Sequence, residues 1–184
     1  MRITKEEIKK LEPCKDGYEW YLKNSEEDLL TLLLKLNEFK SAWASWLFLR
    51  RMSLNQRRAI AIFSAEQVID IFELKYPTDK RPRLAIEAAK NVLVCDNYDN
   101  RRAAADASHA ACAAAYDAYT DAAYDAAYDA ACAAVYAAYT DGADAAYDAA
   151  CAAAYAANAA SGRKEMQVRI IKEAVRILEF GDPK

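Results

Sequence analysis

Residues 103–160 read AAADASHAACAAAYDAYTDAAYDAAYDAACAAVYAAYTDGADAAYDAACAAAYAANAA. Alanine has the highest intrinsic helix propensity, so a tract this rich in it is helical wherever nothing interrupts it. Thr120-Asp121 and Thr140-Asp141-Gly142 are the candidate interruptions, since Thr and Asp favour caps and Gly breaks helices. The preferred reading has one break near Gly142, giving two or three helices of roughly 17–20 residues or one long kinked helix. A repeat runs through the tract: ACAAAYDAYTDAAYDAAYDA at 111–130, ACAAVYAAYTDGADAAYDA at 131–149, and a third start, ACAAAYAAN, at 150–158. Its period is 20 and then 19 residues, which spaces Cys112, Cys132 and Cys151.

No Lys, Arg or Glu occurs between Ala103 and Gly162, and eight Asp do. The tract therefore carries −8, leaving +5 on the rest of a chain of net charge −3. Small side chains let helix axes approach more closely than the usual ~8–10 Å. The Tyr rings are expected to supply the larger buried surface, with Asp side chains as acceptors for their hydroxyls. Ser161-Gly162 ends the tract, and 163–180 predicts an amphipathic helix with Ile171, Ala174, Val175 and Leu178 inward.

Working outward, residues 1–100 read as a more ordinary helical core. Thr4 with Glu7, and Ser25 with Asp28, resemble capping arrangements. Ser25 would open a Leu-rich helix, followed by a helix carrying Trp43, Trp46 and Leu47. Ser53 would cap one long helix from Leu54 to Tyr76, ended by Pro77. Pro82 suits the first turn of another helix running to about Cys95. The expected fold is all-α: a multi-helix bundle forming one domain over 1–184, with Ala-rich helices packed closely on the core.

Gly and Pro number four each among 184 residues, too few for the turns of a sandwich or barrel. The N-terminal MRITKEEIKKLEPC lacks the apolar stretch of a signal peptide, and no run of about 18 uncharged apolar residues predicts a membrane span. Five cysteines without a C-x-x-C suit reduced thiols and a cytoplasmic location. The bulk charge points to no direct nucleic-acid partner. A homo-oligomer is left open.

Catalytic equipment is sparse. There is one His, no zinc-finger spacing, no nucleophile elbow and no phosphate or dinucleotide loop. No metal or cofactor is expected. His109 with Cys112 at i, i+3 is a weak base–thiol candidate, outweighed by a surface His beside a small buried Cys. Glu66, Asp70 and Glu73, at i, i+4 and i+7, form an acidic stripe suited to acid–base work or a divalent ion. Ion pairing with Lys75, Lys80, Arg81 and Arg83 is the favoured alternative. Arg57 and Arg58, and Arg81 and Arg83 at a helix start, are candidates for an anionic ligand or partner. The eight Asp also raise an acidic nucleic-acid mimic, though their density falls far below that of DNA phosphates.

The run WASWLFLRRMSLNQRRAIAIFSAEQVIDIFELKYPTDKRPRLAIEAAK, residues 43–90, with the earlier EPCKDGYEWYL, resembles a family of bacterial immunity proteins attached to polymorphic toxin systems and also carried by phages. The matching positions are Glu66, Asp79, Arg81, Pro82, Arg83 and Glu87. The resemblance implies an all-α fold and toxin neutralisation, without a mechanism. The expectation is a non-catalytic inhibitor that binds a protein toxin or defence effector, its site drawing on Arg57, Arg58, Glu66, Asp79, Arg81 and Arg83. The alternative is a binder that sequesters a small phosphate-bearing nucleotide through Arg and aromatic residues.

Overall fold

The computed structural model describes residues 1–24, 28–118, 121–138 and 163–181, and among them the fold is all-α. The sole β feature there is an isolated bridge between Arg2 and Asp28. The helices are α1 (Lys5–Lys10), α2 (Lys15–Asn24), α3 (Leu29–Arg51), α4 (Leu54–Glu66), α5 (Ile69–Lys75), α6 (Arg81–Val94), α7 (Tyr98–Asp117), α8 (Asp121–Ala138) and α9 (Arg163–Phe180).

Side-chain caps explain several of the starts. Thr4 and Glu7 form a capping box on α1, and Ser53 and Gln56 form one on α4. Asp28 is itself the N-cap of α3, accepting from the Thr31 amide at 3.0 Å, so it does not complete a box with Ser25, which lies outside the described residues. Pro82 sits in the first turn of α6, and Cys95 is its C-cap. The two helices expected over 29–51 are the two limbs of α3, which bends where Lys40 leaves helical geometry at φ −156°, ψ 94°.

The helix expected from Leu54 to Tyr76 is instead two. α4 ends at Glu66 and α5 begins at Ile69. Ser64 Oγ donates back to the Ile60 carbonyl at 2.9 Å, and the last turn of α4 tightens as the Val68 amide bonds the Ala65 carbonyl at 3.2 Å. Gln67, in the break, accepts a hydrogen bond from Arg169 of α9. The continuous apolar pattern hid the break because Ala65 before it and Ile69 after it are both buried.

The Ala tract breaks earlier than preferred. α7 ends at Asp117, Ala118 is non-helical, and α8 opens at Asp121; Gly142 and the third repeat lie outside the described residues. α7 also starts at Tyr98, capped by Asn97, so the change of composition at 103 falls inside a helix. α6, α7 and α8 pack on one another, α4 and α5 pack on α8, and α9 lies against α3 and α4. Where α6, α7 and α8 meet, the contact is alanine: Ala85, Ala111, Ala131 and Ala134 form a cluster of their own. A Cβ-deep interface lets backbones approach closely, and many small contacts replace a few large ones. The main core joins Ala115 and Ala126 with Leu29, Leu33, Phe48 and Phe72, so the tract packs on the N-terminal core. Of the tract's Tyr rings that are described, Tyr124 and Tyr128 are half-buried, pack against the main core and stack on each other with centroids 5.7 Å apart, while Tyr116 is exposed; the other tract tyrosines lie outside what is described. On α9, Ile171, Ala174 and Val175 are buried as expected, and Leu178 is half-buried.

Candidate functional site

The charged residues singled out from sequence resolve into three separate arrangements. The first joins α5 to α6. Arg83 donates to Glu73 through Nε (3.0 Å) and Nη2 (2.6 Å), and reaches Asp70 at 3.4 Å. Lys80 Nζ adds a contact to Glu73 at 3.8 Å. A bidentate guanidinium–carboxylate pair is among the stronger polar contacts available to a protein. It holds the Glu73 carboxyl below its ordinary range, the hydrogen bond from Arg83 being the main cause.

Arg81 makes the second cradle. Its guanidinium holds Asp79 at 2.7 Å and Asp117, at the end of α7, at 2.8 Å, while its amide donates to Asp79 Oδ1 at 3.0 Å. The start of α6 is thus an anion site already filled from within. Asp79 occupies the place an external phosphate would need, and Arg81 holds its carboxyl below the usual range.

The third arrangement involves α4. Arg58 is fully buried and pairs with Asp96 at 2.9 Å and Asn55 at 3.1 Å. Arg101 also binds Asp96, whose carboxyl is brought down to about 2 chiefly by that hydrogen bond, with Arg58 contributing. Arg57 donates to the Leu49 carbonyl at 2.8 Å, satisfying the end of α3. Glu66 pairs with Lys90 of α6 rather than with the loop cations, because the bend at Gln67-Val68 takes it off the stripe of Asp70 and Glu73. Glu87 is exposed. The structure therefore brings Asp70, Glu73 and Arg83 together, and Asp79 with Arg81; Glu66, Arg57 and Arg58 serve other junctions.

Other candidates fare as follows. His109 is exposed, and burial pushes the Cys112 thiol up, the reverse of what a thiolate nucleophile needs. Among the described residues, no group of three or more His, Cys, Asp or Glu side chains is placed to hold a metal ion. Among the described acids of the Ala tract, Asp117 is tied to Arg81 and Asp129 is fully buried. Among the described residues neither carboxylate oxygen of Asp129 has a hydrogen-bond partner, and burial pushes its pKa well up, helped by Asp125.

Two features were not identified as sites from sequence. Leu74 and Leu84 are 85% and 56% exposed, each next in the chain to a member of the Glu73–Arg83 pair. Leu74 lies on α5, past the break after Glu66, and Leu84 lies near the start of α6. The second is an apolar cavity of about 290 Å³ between α1, α2 and the two limbs of α3. Trp20, Trp43 and Trp46 all line it, and they are the chain's only tryptophans. Their crowding into 27 positions was the available signal. No helix among the described residues is long and apolar enough to cross a membrane. No family model, curated protein or solved structure matches the chain.

Proposed function

We propose that this chain is a non-catalytic inhibitor of the immunity or anti-defence type, which neutralises a protein toxin or defence effector by stoichiometric binding. The observation that carries the reading is the pair of exposed leucines beside the α5–α6 clasp, Leu74 and Leu84. Large apolar side chains left in solvent beside fixed charges have the composition of a protein interface, an apolar centre within a polar rim. Arg83, Glu73 and Asp70 in that rim pair with one another, so their charges are satisfied without a partner and the leucines are left as the contact surface. The carboxylates that might have served as acid and base are engaged by Arg83, Lys80 and Lys90, which suits recognition better than proton transfer. The likeness of residues 43–90 to immunity proteins points the same way.

Sequestration of a phosphate-bearing nucleotide draws less support. It needs cations and rings in one cavity, and among the described residues no charged one lines the tryptophan cavity. The test is neutralisation of a co-expressed toxin or effector, with the complex sized by chromatography. Replacing Leu74 and Leu84 by Asp is expected to abolish protection and the one-to-one complex while the melting temperature holds. Undiminished protection by that variant rejects this face as the docking site.

A further inference from the structure

We propose that the tryptophan cavity is a binding site for a small, neutral, flat aromatic molecule of two or three fused or linked rings. This inference is independent of the docking face and of what docks there.

The cavity is built by a departure from regular structure. Had α3 continued straight through Lys40, its two limbs would form one wall. The non-helical backbone at Lys40 instead sets Leu32 and Leu36, before the bend, and Trp43 and Trp46, after it, around a common space. A break inside a helix gives up backbone hydrogen bonds, so it needs a local cause. Gly17 on α2 makes room on the opposite side. A Cβ there would lie 3.3 Å from Cys14 Sγ and 3.9 Å from the Trp43 ring, tighter than side chains normally tolerate at the first distance.

The lining sets the chemistry of the occupant. Three indoles and the Tyr21 ring offer flat faces, which favour stacking or edge contact with another aromatic ring. Among the described residues none in the lining is charged, and burial with nearby Glu6 raises the Tyr21 hydroxyl, keeping it neutral. An ion entering would lose hydration with nothing to replace it. The volume lies at the small end of the roughly 300–1,000 Å³ of ligand pockets, which limits the guest to a few rings. Its outer faces are held: Phe39 stacks on Trp20 with centroids 5.7 Å apart, and Lys40 Nζ lies 4.4 Å from the centre of the Trp43 ring. Ala42 is exposed at the rim, and Cys14 contributes a free thiol.

The experiment titrates the native chain with N-phenylnaphthylamine, a neutral two-part aromatic, and with its sulfonated relative anilinonaphthalene sulfonate. Every tryptophan lines the cavity, so the whole of the indole emission reports on it. The expected result is saturation at one equivalent with energy transfer from tryptophan to the neutral probe, and at least tenfold weaker binding of the sulfonate. At saturation, alkylation of Cys14 by N-ethylmaleimide should slow at least fivefold, while Cys95, exposed and outside the cavity, reacts as before. Ala42→Phe, which fills the rim, should weaken the neutral probe at least tenfold. Absence of saturable binding, equal affinity for the sulfonate, or unslowed alkylation of Cys14 would each overturn the proposal. The thiol readout uses the native chain, so the outcome stands even if Ala42→Phe misfolds.

Discussion

Arg83 and Glu73, ten positions apart, meet in a two-point clasp at 3.0 and 2.6 Å that ties the first turn of α6 to α5. The pair is half-buried, so its role is first a structural one. Arg83→Ala should cost about 1 kcal/mol, the value of a charge-assisted contact discounted for solvent. Loss of neutralising activity should be no greater than the lost stability explains. The Glu73 pKa is lowered on folding from its ordinary 4.5. The stabilisation is therefore present above that value and lost as pH falls below it. Denaturation midpoints at pH 7 and pH 3.5 for the native chain and Glu73→Gln measure it; the gap between the two should narrow at the lower pH.

The Arg58–Asp96 pair should matter more, because Arg58 is fully buried. Asp96→Ala leaves a guanidinium with a lost counter-charge in the core and should cost about 3–5 kcal/mol. With the Asp96 pKa at about 2 in the fold and ordinarily 3.8, its contribution is full above pH 4 and fades as pH drops toward 2. Urea unfolding across that range would read it directly.

Asp129 predicts the opposite sign. Its carboxyl is buried, lacks a hydrogen-bond partner among the described residues, and has its pKa raised on folding. A raised acid binds its proton more tightly in the folded chain, so stability is greatest at low pH and declines as pH rises above the ordinary 3.8. Asp129→Asn should remove that decline and stabilise the chain at pH 7 by about 1–3 kcal/mol. Melting curves at pH 5 and pH 8 should show a gap that widens with pH.

The all-α class was legible because alanine content, caps and the scarcity of Gly and Pro agree. Thr4, Ser53 and Pro82 do locally what their chemistry implies. The bend at Gln67-Val68 was not legible, since its causes are a back-bonded Ser64 and a contact from Arg169, about a hundred residues away. The charged positions Asp79, Arg81 and Arg83 were visible as a cluster. Their partner Asp117 was not, because it lies at the far end of α7, whose packing on α6 and α8 runs through alanines. The tryptophan cavity was hidden for a similar reason: it exists only once α3 bends at Lys40.

The most direct test of the account compares two double variants in one neutralisation assay. Leu74→Asp with Leu84→Asp should abolish protection with little change in melting temperature, since both side chains are already in solvent. Arg81→Ala with Arg83→Ala should lower the melting temperature and weaken protection only in proportion. Protection that survives the leucine replacements, or vanishes in the arginine variant while its melting temperature holds, would contradict the account.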